Sequence, residues 1–432
     1  MRNRTCFVLG TLGLLLGWTA SLFGTKPADT QPAGPSTSTG KRLLKGADLQ
    51  LMGVMLLPQE LDPNAYGALA LRRHADGSRT FFCVGKTTMG TQVFEFTNAG
   101  FGTDLKSAPR AKLVKKWDAY QGHRVSTTIE SKKLATQGLC WMGDKLFWVF
   151  GGNYDVGPGN KPVLGFTRFN ADGTATAFGP WSIDVGQARA RNYLTILPDS
   201  FALRYTAGRR LAVGAGIESG SSSASWGPCL YAIDIPMENT PAGTTLHSTP
   251  LVYYPSEQRL TRAADYDVLD GKGNRVLQRR PLFWPPVGNV GFWTGADVLR
   301  AAEWVEGKTV HGMLFANRFA CEHVWYGKDL PGIKDPCHEA KGQRGSKYRA
   351  AWFIYDPDDL ARVATGATAS WQIRPKEVFD PTRLSPAMQL NCDHVATGLT
   401  FDSSEGMLYV MCPQVEKLPS GPYPVVYQFK IP

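Results

Sequence analysis

The chain lacks the short motifs that mark several large enzyme classes. It has no glycine-rich loop to cradle phosphate, no G-x-S-x-G elbow and no H-E-x-x-H pair, which excludes the phosphate-loop, serine-hydrolase and zincin readings. No long amphipathic helical period occurs, so a helical bundle is excluded as well. Charge is sparse and scattered. The net +10 is divided among Arg72-Arg73, Lys112–Lys116, Lys132-Lys133, Arg209-Arg210, Arg279-Arg280 and similar short groups. No basic face interleaved with aromatics results, so nucleic acid is not expected as a partner. Asp76-Gly77 and Asp172-Gly173 lack the context of a sialidase Asp-box, and Ser219–Ser225 is a flexible loop anchored by Trp226.

One long hydrophobic run is present, at the start. Arg2 and Arg4 precede an apolar stretch from Cys6 to Gly24, the pattern of a secretory signal, so residues 1–24 read as an export segment. Its length is also close to what spans a bilayer, so an uncleaved anchor through residues 6–24 is the alternative. Residues 25–46, rich in Pro, Thr, Ser and Gly, read as a flexible tether to a domain at 47–432. The expected location is periplasmic or extracellular, with the membrane a partner only through an uncleaved segment.

What the domain has in plenty is turns and pleated-surface residues. A hairpin of two apolar runs returns five times: Leu69–Arg73 with Thr80–Val84, Gly138–Met142 with Leu146–Phe150, and Ala202–Thr206 with Leu211–Ala215. It continues as Ala301–Val305 with Val310–Phe315 and Gly398–Asp402 with Met407–Cys412. The intervening turns carry Gly or Asp, which supply the positive φ of tight hairpins. Third strands follow four of them, at Gln92–Thr97, Val163–Phe169, Cys229–Ile235 and Ala350–Tyr355. Fainter fourth strands fall at Ala111–Lys116, Thr176–Ile183, Leu251–Tyr254 and Ser370–Arg374. This repeat predicts an all-β fold, a single β-propeller of five blades. The last blade has only Pro424–Ile431 after its hairpin, so Leu49–Leu57 is expected to supply the missing strand and close the ring. Six blades would require promoting the Tyr266–Leu277 hairpin. A short helix fits Pro357–Thr365, with Asp356 as N-cap and Gly366 at C′.

Several segments resemble a family of uncharacterised secreted proteins from environmental bacteria: Leu51–Pro58, Tyr66–Leu71, Trp226–Ile235, Tyr348–Pro375 and Gly398–Val410. The last is also similar to the inner hairpin of gluconolactonase-like and NHL-type propellers. The resemblance implies a secreted propeller and brings no activity. It also matches the family's paired cysteines in the fourth-blade loop to Cys321 and Cys337, although Cys-Glu-His and Cys-His-Glu depart from the family's loop.

Cys83, Cys140, Cys229, Cys321, Cys337, Cys392 and Cys412 follow the export segment, an odd number that leaves at least one thiol free. Cys321–Cys337 is the first expected bridge, closing a loop for about 3 kcal/mol; Cys392–Cys412 is the second. Cys321, His323, Cys337 and His338 match no closed zinc arrangement, so no metal is expected there. Asp265, Asp267 and Asp270 near Gly271 raise calcium, but the string lacks the terminal bidentate Glu of an EF-hand loop and reads as a turn. No cofactor is indicated.

Loops entering the innermost strands of a propeller converge on one mouth of its tunnel. Residues just before those strands are Asn64, Tyr66, Gln137, Asp199, Trp293, Asp297, Asn391, Asp393 and His394. Of these, Tyr66, Gln137, Trp293, Asp297, Asn391 and His394 form the expected ligand-binding set. Tyr66, Trp293 and Trp325 offer aromatic faces to sugar rings, and the polar groups suit hydroxyls. The expected function is binding, by a monomer, of extracellular carbohydrate or an envelope protein. A hydrolase or lyase acting on a sugar or lactone is the rival, with Asp297, Asp393 or His394 as acid or base. A structural envelope module without a small-molecule site is the third reading. Against the enzyme, the inner strands hold only two carboxyl groups, Glu303 and Asp402, where a glycosidase needs a facing pair about 5 to 9 Å apart.

Overall fold

Twenty strands build five four-stranded antiparallel blades in a computed structural model that describes residues 40–61, 68–84, 92–119, 134–152, 162–170, 172–216, 225, 227–255, 267–268, 293, 296–337, 342–384, 396–418 and 421–432. β1 (Gln50–Leu56) precedes the first blade, which is β2 (Leu69–Arg73), β3 (Arg79–Val84), β4 (Gln92–Thr97) and β5 (Leu113–Asp118). The second is β6 (Leu134–Met142), β7 (Lys145–Gly152), β8 (Leu164–Phe169) and β9 (Ala175–Ile183). The third is β10 (Tyr193–Ile196), β11 (Leu211–Gly214), β12 (Leu230–Ile233) and β13 (Ser248–Val252). The fourth is β14 (Val298–Glu306), β15 (Val310–Gly327), β16 (Gly342–Tyr355) and β17 (Glu377–Phe379). β18 (Gly398–Asp402), β19 (Met407–Leu418) and β20 (Gly421–Lys430) make the fifth, and β1 is its outer strand, in register from Gln50 opposite Lys430 to Leu56 opposite Val425. The expected closure between the two ends of the domain is therefore formed.

Alternation along each strand explains how the ring holds together. Phe81 and Cys83 of β3 pack toward the fifth blade with Leu69, Tyr409 and Val426, whereas Phe82 and Val84 pack toward the second with Leu146 and Trp148. The same split recurs around the ring, giving one apolar cluster between each pair of neighbouring blades. Both faces of a blade are buried, so its strands read as apolar runs and not as alternation. The inner strands β2, β6, β10, β14 and β18 each touch the next, closing a ring about the axis. At one of these contacts the backbones nearly meet. A Cβ on Gly398 would lie 2.4 Å from the Leu69 amide nitrogen, so only glycine fits there.

The sequence reading differs from the structure in the third blade. Ala202–Thr206, expected as its inner strand, belongs mostly to helix α1 (Asp199–Tyr205), and the inner strand is the earlier Tyr193–Ile196. Phe201, Ala202 and Tyr205 form the buried face of α1, at helical spacing, and Phe201 packs on the Trp304 ring. In the fourth blade the outer strand is Glu377–Phe379, beyond the expected Ser370–Arg374, because α2 (Pro357–Ala364) and a turn intervene. α2 itself starts as expected, with the Asp356 carboxylate accepting from the Asp358 N–H at 2.9 Å. Of the Tyr266–Leu277 hairpin only Asp267–Val268 lies within the described residues, and it runs parallel to β15.

Candidate axial site

Inside the ring, the exit ends of the inner strands and the turns that follow them enclose a cavity of about 590 Å³. Four of the five turns are tight. The third blade instead inserts α1 there, and Leu197, Pro198 and Arg210, which flank that insertion, form part of the wall. Asp199, expected at the entrance end of the tunnel, thus sits at the opposite end, in an ion pair with Arg210.

The wall is chemically mixed. Trp141, Trp304 and Phe401 provide aromatic surface, and Leu69, Leu71, Leu139 and Leu399 provide aliphatic surface. Charged groups at the cavity are each met by an opposite charge. Arg73 binds the Asp402 carboxylate and the Ser404 hydroxyl, and Arg79 Nε lies 3.2 Å from the other Asp402 oxygen. Glu306 takes a hydrogen bond from Trp304 Nε1 at 3.1 Å and pairs with Lys41 Nζ at 2.5 Å.

Glu303 is different. It is the one carboxyl within the apolar stretch Ala301–Val305; strand alternation sets it on the side of Ala301 and Val305, toward the fifth blade, where it borders the cavity, while Ala302 and Trp304 face the third blade. Three other blades meet it there: Cys140 of β6, Thr195 of β10 and the Phe401 backbone N–H of β18. Burial pushes the Glu303 carboxyl well above the usual carboxylate range, although the Thr195 hydroxyl and the Phe401 N–H pull the other way. Thr195 Oγ1 accepts the Trp304 amide at 2.9 Å, which leaves the hydroxyl proton free to point at the carboxyl. Burial, with Glu303 adding to it, also raises the Cys140 thiol, so that thiol is no nucleophile. Glu303 keeps a partly accessible surface because it borders the cavity.

Two of the residues expected at the entrance are interior groups. Asp297 is 0% exposed, its Oδ1 accepting the Ala320 amide at 2.6 Å, and Trp293 is 1% exposed, edge-on to Phe319. Trp325 is equally buried, donating from Nε1 to the Lys328 carbonyl at 2.8 Å. Apolar packing on both faces of the fourth blade takes up such aromatics before they can reach solvent. Asn64, Tyr66, Asn391, Asp393 and His394 lie outside the described residues, as does the side chain of Gln137.

Cys412 is a free, buried thiol, so the expected Cys392–Cys412 bridge is not formed; apolar packing claims that side chain. Burial pushes the Cys412 thiol up to about 12. Cys83, Cys140 and Cys229 are likewise buried free thiols, and the side chain of Cys321 lies outside the described residues. Among the described residues no group of His, Cys, Asp and Glu is arranged to hold a metal, and no helix is long and apolar enough to cross a membrane. His338, Asp265 and Asp270 are outside them, as is the apolar run 6–24.

No protein-family model and no curated protein matches the chain. Among solved structures it is similar to a GH43 endo-arabinanase from Bacillus licheniformis at 10% identity and a TM-score of 0.37, covering 85% of this chain and 94% of that one. It is also similar to the PQQ-bound aldose sugar dehydrogenase from Streptomyces coelicolor, at 11% identity, TM-score 0.36 and coverages of 88% and 97%. An alpha-L-arabinofuranosidase from Lactobacillus brevis matches at 11% identity, TM-score 0.36 and coverages of 89% and 94%. The fold described above is a five-bladed β-propeller on the evidence of its own strand pairing, and the chemistry of its cavity rests on its own residues.

Proposed function

We propose that this chain is an exported, monomeric binding propeller that takes a carbohydrate in its axial cavity. The carrying observation is the wall itself. Indole and phenyl surface stands beside a carboxyl group, the hydroxyls of Thr400 and Ser404 and two guanidinium groups, in a space of about 590 Å³. Sugars need that combination, apolar ring faces on aromatics and hydroxyls on fixed polar partners. Export rests on the signal-like residues 1–24.

The test is a glycan array on residues 47–432, followed by calorimetric titration of each hit with wild type and Thr400→Trp, which fills the cavity from β18. The expected result is a specific hit whose affinity falls at least about tenfold in the variant with unchanged melting. Absence of any hit sinks the carbohydrate reading and moves the weight to an envelope protein partner.

One observation favours a second reading, a hydrolase or lyase acting on a sugar or lactone. A carboxyl that burial pushes well above the usual carboxylate range is what a general acid requires. Product release from a bound glycan, abolished in Glu303→Gln, would establish it.

A further inference from the structure

We propose that the axial cavity takes the end of a glycan chain, and not a stretch from its middle, seating the terminal sugar units in a cup. This rests on the carbohydrate reading of the cavity and adds to it the class of ligand, one that presents a free chain end.

A chain bound by its middle must cross the rim twice, once to enter and once to leave, so it needs a groove. Here all five blades contribute wall, and side chains or backbone bridge every seam between them. Between the fifth blade and the first, Arg73 reaches the Asp402 carboxylate and the Ser404 hydroxyl, and Arg79 pairs with Glu405. Between the first and second, the Arg72 guanidinium lies 5.0 Å from the centre of the Trp141 ring, and Phe82 stacks on the same indole at 5.5 Å. Between the second and third, Met142 and Ile196 pack against one apolar cluster. The inserted helix α1 closes the next seam, its Phe201 ring 4.7 Å from that of Trp304. Between the fourth and fifth, the Thr309 N–H donates to the Pro432 carbonyl at 3.3 Å, and the Ile431 N–H to the Gly406 carbonyl at 2.8 Å.

The other route for a continuous chain would run down the axis. The lining stops at Leu69, Leu139, Leu399 and Glu303, well short of the opposite ends of β6 and β14. Glu303 is held there by the Thr195 hydroxyl and the Phe401 N–H, which ties the third, fourth and fifth blades together at the bottom of the cup. Just past that level neighbouring inner strands press backbone to backbone. A Cβ on Gly398 would lie 2.4 Å from the Leu69 nitrogen, and one on Gly138 would lie 2.9 Å from the Tyr193 Cα. Walls packed this closely do not part for a sugar ring. What remains is a concave site of about 590 Å³ open at one face, which suits a terminus.

Calorimetric titrations of the full chain test this, with the di- to hexasaccharides of cellulose, xylan and arabinan as probes. A binding groove meets more registers on a longer chain, whereas a cup meets one end however long the chain is. The expected result is a series whose affinity rises over the first units and then stays within about twofold up to the hexasaccharide. On the matching polysaccharide, capacity per gram should rise in proportion as the polymer is shortened. Thr400→Trp, which fills the cup, should weaken binding at least about tenfold. Affinity that climbs through the hexasaccharide, or capacity per gram that ignores chain length, overturns the proposal while leaving a sugar-binding protein. Binding that survives Thr400→Trp overturns it too, by placing the sugar elsewhere. No binding by any probe refutes the carbohydrate reading itself, and chain-end recognition falls with it.

Discussion

Replacing Glu303 by Gln should make the domain more stable, and increasingly so as pH rises. The side chain keeps its shape, and an amide oxygen still accepts from Thr195 and from the Phe401 N–H, so little packing is lost. What changes is the proton account. In the unfolded chain Glu303 titrates near its ordinary value of 4.5, whereas in the fold burial holds it protonated well above that. Below the unfolded value both states carry the proton and pH has no leverage. Above it the unfolded state has released a proton that the native state retains. Wild-type stability then falls by about 1.4 kcal/mol per pH unit until the native carboxyl itself ionises. Gln has no such slope. The difference in unfolding free energy should therefore widen as pH rises above the unfolded value and level off once the native carboxyl ionises. Guanidinium unfolding of both proteins at pH 5, 6, 7 and 8, with equal m-values, measures it directly. A difference that stays constant across that range would show Glu303 ionised in the native cavity and would refute the burial argument.

Gly398→Ala should cost about 1–3 kcal/mol or more, seen as a lower melting temperature, because its Cβ meets the Leu69 backbone at 2.4 Å and backbone cannot rotate away. Asp402→Ala should destabilise by about 1–3 kcal/mol, less at high salt, since it leaves Arg73 and Arg79, cross-strand neighbours in the first blade, without the carboxylate that reaches them from the last blade. The thiols of Cys83, Cys229 and Cys412, each pushed up to about 12 by burial, should not react with Ellman's reagent in the native protein and should all react in guanidinium.

The blades were legible in the sequence because a propeller buries both faces of every sheet. That requirement writes each inner hairpin as two apolar runs around a Gly or Asp turn, and four of the five appeared at their observed places. The closing strand was legible for a related reason: the last blade visibly lacked an outer strand, and Leu49–Leu57 was an apolar run without a hairpin. The third blade misled because Phe201-Ala202-Leu203-Arg204-Tyr205 is apolar enough for a strand, while its helical spacing shows only when burial is known. The better signal was Tyr193-Leu194-Thr195-Ile196, aromatic and β-branched and stopped by Pro198. Trp293 and Asp297 were misplaced for a physical reason. Residues ahead of an inner strand reach the tunnel only if packing does not claim them first, and the fourth blade claims both.

The site was half legible. Glu303 stood out as a carboxyl inside an inner strand, yet it counted against catalysis when judged only as one member of a missing pair. Its meaning comes from the ring. Side chains directed at neighbouring blades are fixed by packing, and there the chain places Leu, Val, Phe and Trp. Side chains that border the cavity are packed on one side only, so a polar group there is not explained by packing alone. Glu303 goes further, since a buried carboxyl without a committed cation lowers stability above pH 5 and an apolar residue would close the same ring. A group that the architecture does not need and that weakens it is best explained by what enters the cavity. The five inner strands are alike in backbone and unlike in what they bring to the cavity and to Glu303: a leucine pair on β2, a thiol on β6, a hydroxyl on β10, an acid on β14 and an amide donor on β18. A near-symmetric ring thus carries one asymmetric centre, which under the proposed binding role would fix the orientation of what enters it.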